Sequence, residues 1–370
     1  MGMKEQINRV VISGGGTGGH IFPAIAIADE IKRRNPKVDI LFVGAEGKME
    51  MDRVPTAGYF IKGLPIVGFQ RKFSFSNFLL PFKLLKSLLK AHRIIKQFNP
   101  QLVIGVGGYA SGPTLKVAQL LRIPTVIQEQ NSFPGKKPNI LLSKKASLIC
   151  TAYANLEQFF SKEKIRLTGN PVRQALSNIK TSREDALKLF GLSSSQKTVL
   201  VIGGSLGAKT LNESILKNID QISHGQLQFI WQCGKGYIDQ INQSISKVPE
   251  QIKLMSFISE MDAAYAAADI VVSRAGALSV SELCLVGKPV ILVPSPNVSE
   301  DHQTKNAMAL VSVNAAILIK DADAREELVH ALFALVVNKE KKKELSANIR
   351  AIAKPDATQD IVDACETLIS

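Results

Sequence analysis

Short apolar runs rich in β-branched residues recur along the chain: "RVVIS" from Arg9, "DILFVG" from Asp39, "LVIGVGG" from Leu102 and "TVIQEQ" from Thr125. Past the midpoint come "TVLVIGG" from Thr198, "LQFIWQCG" from Leu227, "IKLMSFI" from Ile252, "DIVVSRAG" from Asp269 and "PVILVPS" from Pro289. Near-continuous apolar runs of this length predict strands covered on both faces, and the stretches between them carry helical spacing. Strands alternating with helices predict an α/β architecture of parallel sheets. "VVISGGGTGGHIFPAIAIADEI" from Val10 and "VLVIGGSLGAKTLNESIL" from Val199 share one plan of strand, glycine turn and helix, nearly half the chain apart. Two Rossmann-like halves are expected, joined near "RLTGNPVRQAL", where Gly169, Asn170 and Pro171 break the pattern and "NIKTSRED" then opens a polar helix start. The expected domains are residues 1–172 and 173–350, with a C-terminal helix at about 351–370 packing back on the first.

Composition supports that division. A chain of 370 residues, 45% hydrophobic and 21% charged, is long for one core and excludes a disordered chain. Cys150, Cys233, Cys284 and Cys365 are scattered without paired spacing, which predicts reduced core thiols rather than a disulfide or zinc framework. No secretory leader is visible, and no apolar run approaches the ~20 residues of a membrane span, so a cytoplasmic protein is expected. The net charge of +14 predicts an anionic partner: nucleic acid, a phosphorylated substrate or a lipid surface. No basic and aromatic platform for nucleic acid is evident.

Candidate chemistry starts at the first turn. Gly14, Gly16 and Gly19 fit the dinucleotide spacing G-x-G-x-x-G, and Glu46 after the second strand has the place of a ribose-binding acid. Against a dehydrogenase stand His20 directly after the glycines and Pro23 in the first helical turn, neither of which a dinucleotide needs. Two further glycine loops, Gly203 to Gly207 and "GVGGYASGP" from Gly105 to Pro113, suit two ligands better than one cofactor. A carboxylate such as Glu282, in the helix after "IVVSRAGALS", accepts from two vicinal hydroxyls at once and suits a ribose, although a first-turn glutamate also complements a helix dipole. In "KDADAREELVHAL", Asp321 and Asp323 have the spacing of a metal-binding Asp-x-Asp, but Asp323 and Glu326 before an apolar helix predict a capping box, so no metal and no cofactor is expected.

Seven stretches, "GGGTGGHIFPAIAIA", "GVGGYASGP", "QEQNSFPG", "TGNPVR", "GGSLGAKTLN", "SRAGALSVSEL" and "EDHQTKNA", together resemble the MurG family of N-acetylglucosaminyltransferases, in the family's order from about Val10 to beyond Asn306. The resemblance implies the GT-B architecture, two Rossmann-like parallel-sheet domains facing across a cleft, with sugar nucleotide on the C-terminal half and acceptor on the N-terminal half. It implies inverting transfer of N-acetylglucosamine from UDP-N-acetylglucosamine to the 4-hydroxyl of N-acetylmuramic acid in lipid I, giving lipid II for peptidoglycan.

Such a displacement needs a base, charge for the departing diphosphate, and alignment. His20 is the candidate base; an isolated histidine there would read as a packing residue. For the diphosphate stand the N–H groups after Gly203 and Gly204, the Ser205 hydroxyl, the following helix dipole and, by resemblance, Arg173. By resemblance Thr17, Gly18, Gly19, Asn131 and Gln303 meet the donor. Ala277, Leu278, Ser279, Val280 and Ser281 line the nucleotide pocket, and the Ile258 main chain meets the uracil. Gly107, Gly108, Tyr109 and Glu129 fall on the acceptor side. Where the family shows Gly-x-Thr-Asn, this chain has "GKKPN", one residue longer with Pro138 for the threonine, which weakens the case for acceptor contacts there. Phe75, Leu79 and Phe82 lead into a helix carrying Lys83, Lys86 and Lys90, a pattern that suits an interfacial helix on the anionic cytoplasmic face of the inner membrane or an ordinary half-buried helix. Other readings are a lipid acceptor such as diacylglycerol, an oxidoreductase, or a nucleic-acid binder.

Overall fold

The structure, a computed structural model, describes residues 6–66, 80–134, 138–172, 176, 179–204, 206–224, 227–245 and 248–369. The chain forms two compact units, Met1–Val172 with Asp356–Ser370, and Arg173–Pro355.

In the first unit the described strands are β1 Arg9–Gly14, β2 Asp39–Ala45, β3 Phe60–Leu64, β4 Leu102–Gly107, β5 Thr125–Glu129, β6 Leu148–Thr151 and β7 Ile165–Leu167. They form one parallel sheet in the order β3-β2-β1-β4-β5-β6-β7. Alternate residues of β1 enter opposite cores, as a two-sided sheet requires. Val10 and Ile12 pack with Ile21, Ile27 and Ile31, whereas Val11 packs with Ala91, Ile95 and Leu115. The first of these cores also takes Ile361, Val362 and Cys365 from the helix Ala357–Glu366. Arg34 ties that helix down through Asp363 at 2.5 Å and Glu366 at 3.0 Å.

The second unit has β8 Lys197–Ile202, β9 Leu227–Gln232, β10 Ile252–Met255, β11 Ile270–Ser273, β12 Val290–Leu292 and β13 Ile317–Leu318, all parallel, in the order β10-β9-β8-β11-β12-β13. Two parallel-sheet α/β domains are what the apolar runs predict, and every run quoted above forms a strand. The runs did not reveal β3, β6, β7 and β13. The helix Arg183–Leu189 starts where the polar stretch predicts, and Ser182 caps it by accepting from the Asp185 N–H at 3.1 Å. The capping box is not made: Asp323 stands at the start of the helix Ala324–Val337 without a side-chain cap bond, and Glu326 pairs with Lys217 instead.

Both sheets reverse their winding at one place. The chain runs outward from β1 through β2 and β3, then crosses back to β4 on the other side of β1. From β8 it likewise runs out through β9 and β10 and returns as β11. At such switch points the connections leave the carboxyl ends of two adjacent strands in opposite directions and open a crevice.

Candidate active site

The crevice of the first unit lies between the turn after β1 and the loop after β4, and the glycines there are demanded by close approach. A Cβ on Gly108 would stand 2.3 Å from the Gly15 carbonyl oxygen, and one on Gly107 would stand 2.5 Å from Cδ2 of His20. Both glycines have positive φ, +86° at Gly108 and +102° at Gly107. The His20 ring therefore occupies the space that Gly107 leaves open. Thr17 precedes the helix Gly18–Arg34, and Gly18, Gly19 and His20 form its first turn. His20 Nδ1 lies 3.2 Å from the Gly15 carbonyl oxygen and 3.3 Å from Thr17 Oγ1. Tyr109 is exposed beside the glycines.

Beneath the turn lies a residue that the sequence did not single out. Glu50 is buried, and its carboxylate accepts from the Gly16 N–H at 2.8 Å and the Ala45 N–H at 2.9 Å. A dinucleotide turn offers its N–H groups to a pyrophosphate, but here that of Gly16 is already engaged by an anion. Glu46, the other mark of the dinucleotide reading, pairs on the surface with Lys90 at 2.6 Å.

Glu129 ends β5 and is buried; loss of hydration pushes its carboxyl above the usual range, against the pull of Asn139, Asn131 and the Gln130 N–H. It accepts from Asn139 Nδ2 at 2.6 Å and from the Asn131 N–H at 3.1 Å. Asn139 is the asparagine that survives in "GKKPN", so the altered loop keeps that donor.

At the switch point of the second unit, the turn after β8 packs against the segment after β9. Gly207, at φ +78°, could carry a Cβ only 2.0 Å from the Cys233 carbonyl oxygen. Gln232, buried at the end of β9, braces this turn: its Oε1 accepts from the Gly203 N–H at 3.1 Å, and its Nε2 donates to the carbonyls of Gly204 at 3.0 Å and Ser256 at 3.2 Å. The sequence held a sign of it, because a glutamine inside an apolar strand needs a buried polar partner. The helix Lys209–Lys217 follows with no acidic residue in its first turn.

Across the switch point, the helix Ala277–Val286 follows β11. Ala277, Leu278, Ser279 and Ser281 are partly exposed, whereas Val280 and Ile258 are buried. Glu282 is partly exposed and lies 3.5 Å from the Tyr265 hydroxyl. Gln303 Oε1 accepts from the Ser295 N–H at 2.8 Å, which fixes the amide's orientation. Asp321 is held by Arg274 at 2.5 Å and Thr210 at 2.9 Å, and among the described residues no group of three or more His, Cys, Asp or Glu side chains is arranged to hold a metal ion. A pocket of about 300 Å³ between Pro294, Thr304, Lys320 and Asp321 contains none of the residues expected to meet donor or acceptor. Arg173 and Ser205 lie outside the described residues, as do Phe75 and Leu79.

The helix Leu80–Phe98 turns Ala91, Ile94 and Ile95 inward. Its outer side exposes Phe82, Leu85 and Leu89, 56–64% accessible, beside Lys86, Lys90 and Arg93, with Lys83 partly exposed. No helix among the described residues is long and apolar enough to cross a membrane.

Comparison with known proteins defines the class. Residues 10–150 match the family model for the glycosyltransferase family 28 N-terminal domain, and residues 198–361 match that for its C-terminal domain. The UDP-N-acetylglucosamine--N-acetylmuramyl-(pentapeptide) pyrophosphoryl-undecaprenol N-acetylglucosamine transferase of Phocaeicola vulgatus is 56% identical over 97% of this chain and 96% of its own. The protein of the same name from Flavobacterium psychrophilum is 55% identical over 98% of each chain. A crystal structure of MurG from Acinetobacter baumannii has a TM-score of 0.79 and 31% identity, covering 97% of this chain and 99% of that one. The chain belongs to the MurG family of glycosyltransferases.

Proposed function

We propose that this protein is an inverting N-acetylglucosaminyltransferase that moves the sugar from UDP-N-acetylglucosamine to the 4-hydroxyl of N-acetylmuramic acid in lipid I, giving lipid II for peptidoglycan. The observation that carries this reading is the 56% identity to the P. vulgatus transferase across nearly the whole chain.

The chemistry follows from the residues. The acceptor oxygen forms a bond to the anomeric carbon as the bond to UDP breaks, the hydroxyl proton passes to His20, and negative charge collects on the departing diphosphate. The N–H groups after Gly203 and Gly204, the positive end of the helix Lys209–Lys217, Ser205 and Arg173 meet that charge. Glu282 takes the ribose hydroxyls, the main chain of Ile258 the uracil, and residues 277–281 the rest of the nucleotide. Gln303, Asn131, Thr17, Gly18 and Gly19 serve the neutral sugar. Gly107, Gly108, Tyr109 and Glu129 serve the acceptor. The exposed stripe of Phe82, Leu85 and Leu89 with its lysines rests on the anionic cytoplasmic surface of the cell membrane, where the lipid acceptor lies. The charge of +14 is thus met by diphosphates and lipid headgroups rather than nucleic acid.

Turnover of radiolabelled UDP-N-acetylglucosamine with a water-soluble lipid I analogue tests the reaction; transfer to diacylglycerol in preference would overturn it. Replacing Phe82, Leu85 and Leu89 with Ser is expected to abolish most sedimentation with anionic vesicles while sparing turnover of the soluble analogue. Vesicle binding equal to that of the parent protein would remove the membrane role.

A further inference from the structure

Glu50 and His20 stand on opposite sides of one peptide group. The group joining Gly15 to Gly16 donates its N–H to Glu50 Oε2 at 2.8 Å, and its carbonyl oxygen lies 3.2 Å from His20 Nδ1. In a trans peptide these two bonds point in opposite directions, so carboxylate, peptide and imidazole form a line of hydrogen bonds. We infer that Glu50 is a positioning residue for His20, acting through the Gly15–Gly16 peptide. This rests on the reading of His20 as the base.

Three observations carry the inference. First, a carbonyl oxygen only accepts, so a hydrogen bond to Gly15 puts the proton on Nδ1, where Thr17 Oγ1 at 3.3 Å can accept a share of it, and leaves the lone pair on Nε2, the atom on the Gly107 side. Second, the turn is built to admit the carboxylate: a Cβ on Gly15 would stand 2.1 Å from Glu50 Oε1, and one on Gly44 would stand 2.5 Å from Glu50 Cγ. Third, both carboxylate oxygens are committed, Oε1 to the Ala45 N–H at 2.9 Å and Oε2 to Gly16, which holds the turn to the end of β2. An acceptor on the N–H side polarises a peptide and makes its carbonyl a stronger acceptor, so hydrogen bonds in line strengthen one another. Glu50 thereby selects the imidazole tautomer that removes a proton through Nε2, and aims the ring.

The test reads the tautomer directly. The chain has five histidines, so ¹⁵N labelling of histidine alone gives five imidazoles, and His20→Ala identifies the one in question. At a pH where the ring is neutral, His20 in the parent protein is expected to carry its proton on Nδ1; a proton on Nε2 overturns the inference without any variant. Glu50→Gln can accept only one of the two N–H groups. It is expected to move the tautomer balance toward Nε2–H and lower kcat about tenfold, the scale on which partners that orient an imidazole act, with KM for UDP-N-acetylglucosamine unchanged. A folded Glu50→Gln with the parent tautomer and kcat would sink the link even where His20→Ala abolishes turnover. Near-normal turnover in His20→Ala, with the tautomer still answering to Glu50, would remove the base and leave the link standing.

Discussion

Under the glycine turn after β1 lies a carboxylate, and under the corresponding turn after β8 lies an amide. Glu50 only accepts, from Gly16 and Ala45, whereas Gln232 accepts from Gly203 and donates to Gly204 and Ser256. Both residues are buried and both hold a turn to the neighbouring strand, so as braces they are equivalent. As charges they are opposites in effect. A carboxylate below the first turn offsets the positive end of the helix Gly18–Arg34, which disfavours a bound anion there and, on the proposed mechanism, favours the cation formed when His20 takes the proton. A neutral amide below the second turn adds no negative charge beneath the positive end of the helix Lys209–Lys217, which suits a diphosphate. On the proposed function, one strand-turn-helix plan would serve proton transfer in one unit and anion binding in the other, with a different buried side chain bracing each.

The strongest challenge to this contrast is His20→Ala. Turnover is expected to fall roughly 10²–10⁴-fold while UDP affinity by calorimetry stays within error, because the loss falls on the first unit alone. A parallel loss of UDP affinity would show that the two turns do not divide the work.

Next in size comes a pair of alanines. Gly207→Ala places a methyl 2.0 Å from the Cys233 carbonyl oxygen, whereas Gly16→Ala at φ +85° meets nothing within 4 Å. The first is expected to cost about 3 kcal/mol or more, the second about 1 kcal/mol, the strain of a left-handed residue alone. Denaturant unfolding measures both, and equal costs would mean that the packing of the second turn is looser than it looks.

Gln232→Glu copies the first brace into the second unit. It keeps the acceptor for Gly203 but sets a carboxylate against two carbonyl oxygens, so UDP affinity is expected to drop about tenfold and the unit to lose about 1–3 kcal/mol. Undiminished UDP binding would show that the charge of the brace is irrelevant.

The smallest effect is on acid sensitivity. Burial opposes ionisation of Asp269, but the Thr198 N–H, Arg183 and Lys197 outweigh it and hold the carboxyl below its ordinary 3.8. Its contribution to the second unit is therefore present above that value and lost as the pH falls through the lowered one. Glu129, raised above 4.5 by burial, has the reverse sign: its contribution is present below 4.5 and fades as the pH rises through the raised value. Subtracting the pH–stability curves of Asp269→Asn and Glu129→Gln from that of the parent protein should give differences of opposite slope; a shared slope would refute the assignment.

What could be read from the chain follows physical lines. Longer strands covered on both faces announce themselves as apolar runs, whereas β6 is buried throughout but only four residues long, β3 has a half-exposed pattern with Lys62 and Gly63, β7 lies at a sheet edge with exposed residues, and β13 has two residues. Glycines forced by close approach stand out in any sequence, so the turns at both switch points were visible. Glu50 was not, because "GAEGKMEMD" has the composition of a solvated loop and only tertiary packing draws its carboxylate under the turn. The capping box failed because Asp323 has a helical backbone, φ −93° and ψ −13°, rather than the extended one of a capping residue, and Glu326 turns to Lys217.

The helix Ala357–Glu366 completes the core of the unit to which Val10 and Ile12 belong, so the polypeptide leaves that unit near Val172 and re-enters it near Asp356. On the ribosome this inverts the usual order of maturation. The inserted unit has all its described strands once residue 318 has emerged, while the half translated first still lacks one wall of its interior until residues 357–366 follow. The nascent first half must wait, with Val10, Ile27 and Ile31 short of neighbours, for Ile361, Val362 and Cys365 to close it.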